Sequence, residues 1–273
     1  MNEVFDTWKL GAMLLDIIVG FGLPVSLAMI FRKKYKVRIS VLIIGIGTYI
    51  LVNAILCSVF DVIVYYMNLS DYLDKSNMAS AFFYGIFHGL IQFGGYYAAM
   101  RFLMKGYDRK ENALMFGLGL SFIDAVYYNA VGGFLNFLTA TQINEWGRDG
   151  YLDRFEGEAR EYSEGVIESL ENMGISEIVG SMIFMILEMG FMIAVSVLLF
   201  QAVKRVGKTY LLPTLGAVMV VFNLVICLRS VEILNEIPYL IIIGVLTALC
   251  CFGAYIFYGA DKEQVMGKAD FAK

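Results

Sequence analysis

IVGSMIFMILEMGFMIAVSVLLFQAV, residues 178–203, carries one charged side chain, Glu188, and exceeds the roughly 20 apolar residues that a bilayer-crossing helix needs. The run is continuous rather than alternating, which argues for a helix and against a barrel strand. Outward from it, comparable runs recur at Leu10–Phe31, Ile39–Tyr65, Ala79–Met104, Ala113–Ala140, Tyr210–Leu228 and Pro238–Tyr258. The chain is 59% hydrophobic, and the 17% of residues that are charged fall in short clusters between these runs. A soluble chain of this length could bury a large core but would not segregate its charges so sharply. The sequence therefore predicts an all-α, polytopic membrane protein with about seven spans forming one membrane domain. The second, third and fourth are long enough to tilt or to project from the bilayer.

Lys and Arg placement predicts the orientation, because cytoplasmic loops retain positive charge. Fifteen of the 21 basic residues fall on one side: Arg32 to Arg38, Arg101 to Lys110, Lys204 to Lys208, and the tail residues Lys262, Lys268 and Lys273. The other side holds Lys9, Lys75, Arg148, Arg154, Arg160 and Arg229. This bias puts the C-terminus in the cytoplasm and the N-terminus outside, in a multi-pass protein of the cytoplasmic (plasma) membrane. The first span follows the acidic residues Glu3 and Asp6 and precedes its positive charge, the reverse of a cleaved signal peptide.

The longest connection, residues 141–177, is expected outside as an acidic amphipathic insertion. Helical spacing over Asp153–Asn172 offers Phe155, Tyr162, Val166, Ile167 and Leu170 as apolar contacts and a run of glutamates as the polar side. Such a segment reads as a solvated cap, or as a docking surface for a cationic partner. Its charge disfavours an anionic membrane surface. Cys57, Cys227, Cys250 and Cys251 all fall within spans, so no disulfide framework is legible, and no Cys-x-x-Cys pair exists. Glycine-rich phosphate loops and nucleic-acid patches are absent from the sequence, so no nucleic-acid partner is expected.

His88, the single histidine of the chain, lies inside the third span. Its neighbourhood reads Gly85-Ile86-Phe87-His88-Gly89-Leu90-Ile91-Gln92-Phe93-Gly94-Gly95-Tyr96-Tyr97. After a basic helix end, Arg101 to Lys105, the next span contains Phe116-Gly117-Leu118-Gly119-Leu120-Ser121-Phe122-Ile123-Asp124-Ala125. These stretches resemble the YhfC-type family of intramembrane metallopeptidases, related to the group that includes CAAX prenyl endopeptidases. The family carries Glu-Glu-x-x-Arg in one span and Gly-x-Gly-His-Gly-x-x-Glu-Ala in the next. The resemblance implies carboxylates and histidines from several helices around a metal, with an activated water hydrolysing a peptide bond.

The framework positions of that resemblance are kept, and the reactive ones are not. Gln92 and Phe93 stand at the paired glutamates, Tyr96 at the arginine, Leu120 at the histidine and Asp124 at the glutamate. His-x-x-x-Glu puts a ligand and a carboxylate on one helix face; Leu120 and Asp124 keep that spacing and lose the ligand. A catalytic zinc usually takes three protein ligands. The expectation is a non-catalytic protein without a metal cofactor, binding a membrane segment, peptide or protein partner amid lipid. The rival is an active peptidase whose zinc is held by a relocated set, His88, Asp124 and Glu188. A small transporter or lipid-binding protein is the third reading.

Ionisable groups at membrane depth face a bundle interior as a rule. Asp124 and Glu188 are read either as protonated or hydrogen-bonded to a neighbouring helix, or as lining a polar cavity. The cavity reading groups His88, Gln92, Tyr96, Asp124, Tyr128, Asn129 and Glu188. Asp16 and Asp61, nearer to span ends, are expected to be interfacial anchors or caps. Gly94-Gly95, Gly117 with Gly119, and Gly132-Gly133 are expected to be close helix contacts.

Overall fold

The computed structural model describes residues 4–73 and 75–270; Glu3 and Lys273, weighed above, lie outside them. The described residues form helices and no strand. Helix α1 is Thr7–Tyr35, α2 is Ile39–Tyr66, α3 is Asn77–Ala98 with a π-helical end Ala99–Leu103, and α4 is Glu111–Leu152. Then come α5, Glu158–Asn172; α6, Ile175–Lys204; α7, Leu211–Ser230; and α8, Glu236–Asp270. The protein is all-α and multi-pass. Six helices are long and apolar enough to cross a membrane: α1, α2, α4, α6, α7 and the Glu236–Gly259 part of α8. The seventh expected span is present as α3, but it is not among those six. Glycines, tyrosines, His88 and Gln92 dilute its apolar character.

The chain divides into two compact units. Among the described residues, one holds those up to Ser26 together with Ile123–Met185; the other holds those of Leu27–Phe122 and from Ile186 onward. In the first unit, α4 does not stop at Ala140 as expected. It runs on through Ile143, which is fully buried, to a kink at Gly147, whose φ of +74° suits a residue without Cβ. The amide of Asn144 explains the extension: Asn144 Oδ1 accepts from the Phe5 N–H at 2.9 Å and its Nδ2 donates to the Phe5 carbonyl at 2.7 Å. Phe5, Met13, Ala140, Ile143, Leu152, Ile167, Leu170 and Ile178 make this unit's core.

Helix α5 begins at Glu158 rather than Asp153, because Gly157 holds a positive φ of +57° and breaks the helix there. Of its expected apolar contacts, Ile167 and Leu170 are buried and Val166 partly so, while Tyr162 is 76% exposed. Glu158, Glu161, Glu164, Glu168 and Glu171 are exposed. Lys9 Nζ donates to the Leu170 and Glu171 carbonyls at 2.6 and 3.2 Å, placing a cation on the C-terminal end of the helix.

In the second unit, Glu111–Phe122 of α4 is buried on nearly every side, as an all-round apolar helix requires. Its approach to α2 depends on paired glycines. A Cβ on Gly119 would lie 2.5 Å from the Leu42 carbonyl oxygen and 2.8 Å from the Gly45 Cα. Gly85 and Gly89 play the same part between α3 and α7, where an added Cβ would lie 2.5 Å from the Leu224 Cα or 2.6 Å from the Val220 Cα. The Phe191 and Phe222 rings stack with centroids 4.0 Å apart, joining α6 to α7. Lys204 Nζ donates to the Met104 and Lys105 carbonyls, 3.0 Å each, and pairs with Asp108 at 3.1 Å, closing the end of α3.

Candidate functional site

His88, Gln92 and Tyr96 follow one another at four-residue spacing, so they share a face of α3. Each is tied to a different polar residue. The His88 Nε2–H donates to Asp61 Oδ1 on α2 at 2.7 Å. Asn223 Nδ2 on α7 donates to Gln92 Oε1 at 2.8 Å and to the Met219 carbonyl at 3.0 Å. Asn53 Nδ2 on α2 donates to the Tyr96 hydroxyl at 3.0 Å. The Asp61–His88 and Asn53–Tyr96 pairs are eight residues apart on both helices, as an antiparallel packing of α2 and α3 requires.

The α2 side of this ladder is not regular α-helix. Residues Ile50–Cys57 are π-helical, with Asn53 inside the segment and Asp61 beyond it. A wider turn changes which face the following residues present, and such segments recur at functional positions. Tyr96 is 1% exposed, and Asn53 Oδ1 is buried without a hydrogen-bond partner. His88 and Asp61 sit at the exposed end of the ladder, with side chains 22% and 45% exposed. They open into a cleft of about 410 Å³ between α2, α3 and α7, lined also by Ser80, Tyr84, Cys227 and Ser230. Phe60, Phe83 and Phe87 back the histidine in a cluster of rings, with the Phe60 and His88 centroids 5.8 Å apart.

The remaining residues of the expected cavity divide between the units. Glu188 belongs with His88, Gln92 and Tyr96; it is 8% exposed, and it and Arg229 act electrostatically on Tyr239. Asp124, Tyr128 and Asn129 belong to the other unit, on the π-helical segment Asp124–Val131. There Asn129 Oδ1 accepts from the Ser181 hydroxyl at 3.0 Å, and Tyr128 is 65% exposed. Asp16, expected at an interface, is instead 7% exposed, with its Oδ1 unpartnered; a Cβ on Gly133 would lie 3.2 Å from its Oδ2. Among the described residues, no three His, Cys, Asp or Glu side chains are placed to share a metal ion.

The sequence singles out His88, Gln92 and Tyr96, reads Asp61 only as an interfacial anchor or cap, and does not single out Asn53 or Asn223. One signal could have found the asparagines: an asparagine inside an apolar run needs a partner.

The model of the YhfC intramembrane metalloprotease family matches residues 18–244, from within α1 to within α8. Over 130 residues the chain is 28% identical to "Uncharacterized membrane protein YhfC" of Bacillus subtilis (strain 168), covering 46% of this chain and 49% of that protein. The chain thus spans about half the length of the curated relative it matches. No solved structure matches it. With its apolar helices, its polar ladder inside them and a family match over most of its length, this integral membrane protein belongs to the YhfC intramembrane metalloprotease family.

Proposed function

We propose that this chain is a non-catalytic member of its family, a pseudopeptidase that binds a membrane segment, peptide or protein partner without cleaving it. The observation that carries the reading is Gln92. It stands where the family resemblance places a glutamate, and its carbonyl oxygen already accepts the Asn223 amide at 2.8 Å. A glutamine carbonyl takes up no proton at neutral pH, so it cannot serve as general base. At the histidine position stands Leu120, 1% exposed and with no group that could bind a metal.

The family's name implies a metal, and the donors at these positions do not fit one. A catalytic zinc needs three protein ligands from His, Asp, Glu or Cys. Of the family positions, Gln92, Phe93, Tyr96 and Leu120 supply none of those types and Asp124 supplies one, while His88 and Asp61 make only a pair. No catalytic step is therefore assigned to this chain, and no resident cofactor. A second place for a partner is the acidic face of α5, whose glutamates suit a cationic segment. Beside it, a cleft of about 390 Å³ is lined by Glu161, Tyr162, Val166 and Met173.

Metal analysis of the purified protein, combined with a peptidase assay, tests the reading. It predicts substoichiometric zinc and no cleavage above background. Stoichiometric zinc together with cleavage that His88→Ala abolishes would overturn it.

A further inference from the structure

On the side of the basic loops, an apolar groove opens where three helix ends meet: Tyr35 closes α1, Leu114 lies in the first turn of α4, and Tyr258 nearly ends the spanning part of α8. Its walls are Leu114, Ile193, Ala194, Val197 and Ala254, and it encloses about 320 Å³. From Val197 and Tyr258 at the mouth it runs between α6 and α8 to Gly190 and Cys251, a depth of about 10 Å at the helical rise. The two helices are parallel here: Thr247 Oγ1 donates to the Leu187 carbonyl at 3.2 Å, and Cys251 Sγ to that of Gly190 at 3.8 Å. Tyr255, within the spanning part of α8, is 78% exposed, so the groove opens toward lipid.

Two exposed cations meet at Tyr35 in the mouth. Lys34 Nζ lies 5.4 Å from its ring centroid, and Arg109 Nη2 donates to its carbonyl at 2.8 Å. Residues 32–38 hold five cations and no acid. Of the acids beside Arg109, Glu111 lies 3.5 Å from its Nε and Asp108 pairs with Lys204, so positive charge stays in excess. The sequence after Gly259 does not reverse it: Asp261, Glu263 and Asp270 are matched by Lys262, Lys268 and Lys273. A soluble anion would use the cations and leave the apolar walls bare. A helical segment about 10 Å across and about 10 Å long would need roughly twice the volume of the groove. An acyl chain fits the walls, a phosphate fits the cations, and tyrosines at the mouth stand at headgroup level. We propose that the groove binds an anionic phospholipid, one acyl chain between α6 and α8 and the phosphate at Lys34 and Arg109. This site shares no residue with the polar ladder, and it stands whether or not the chain cleaves peptides.

Native mass spectrometry of the delipidated full-length protein in detergent reads the bound lipid directly. Dioleoyl phosphatidylglycerol and dioleoyl phosphatidylcholine are titrated separately, and the expected result is one phosphatidylglycerol held at least about tenfold more tightly. Lys34→Gln with Arg109→Gln is expected to remove most of that preference and leave phosphatidylcholine binding unchanged. Arg101→Gln with Lys105→Gln deletes two cations that do not line the groove, and the preference is expected to survive. Cys251→Trp fills the inner end of the groove and is expected to weaken phosphatidylglycerol binding; should it fail to fold, the two charge variants still decide. Equal retention of the two lipids, or a preference undiminished in Lys34→Gln/Arg109→Gln, overturns the proposal. So does an equal loss in Arg101→Gln/Lys105→Gln, which would mean diffuse surface attraction. Glycerol phosphate binding as tightly as the lipid would remove the acyl chain from the site, and a lipid-free dimer would give the groove to a second copy; either result overturns the proposal as well.

Discussion

The Gln92–Asn223 hydrogen bond shows how a family position can keep its place in the helix and change its chemistry. A glutamate there would carry charge into the bundle; glutamine takes a neutral amide partner at 2.8 Å and is satisfied. Asn223→Leu strands the Gln92 oxygen, and about 1 kcal/mol of stability is expected to be lost, within the range found between membrane helices. The double variant Gln92→Leu/Asn223→Leu removes both partners and is expected to lose less than the sum of the two single changes. Thermal unfolding in detergent measures the cycle; strict additivity would mean the two side chains are not coupled. His88 was legible as the residue to watch because it is unique in the sequence. Its partner was not: Asp61 reads as a helix-end anchor until the register of α2 on α3 is known.

Helix α5 was largely legible, since its glutamates alternate with apolar residues at helical spacing. The details depended on Gly157, which delays its start, and on which side of Tyr162 the core lies. Ile167 is fully buried and Tyr162 is 76% exposed. Ile167→Ala is therefore expected to cost about 2–5 kcal/mol and Tyr162→Ala little. Limited proteolysis across residues 141–177 reads the difference, and equal susceptibility of the two variants would put the core elsewhere. The helix contacts at glycine are equally specific. Gly119→Leu would drive a side chain into the α2 backbone, where a Cβ alone would lie 2.8 Å from the Gly45 Cα. Overpacking of this kind costs roughly 1–3 kcal/mol or more, so Gly119→Leu should lower the unfolding temperature while Gly11→Leu, with open space around it, leaves it unchanged.

Across the whole molecule, the charge bias makes an orientation prediction. In a variant lacking the native cysteines, an impermeant maleimide is expected to label Glu161→Cys in intact cells and Lys105→Cys only after permeabilisation. The opposite pattern would invert the molecule. Membrane class and helix order follow from the sequence, because apolar runs of this length can hide their backbone polar groups in lipid only as helices. The family resemblance was also legible, since Gly117, Gly119 and their neighbours are read in order along the chain. The pairing of polar residues was not. Whether Asp61 meets His88, Asn53 meets Tyr96 or Asn223 meets Gln92 depends on helix register and on the π-helical turns that alter it. Hydrophobic burial does not specify these, because one apolar stripe can slide past another at little cost. A hydrogen bond between side chains buried away from water is made at one register and lost at the next, so only the tertiary structure decides it.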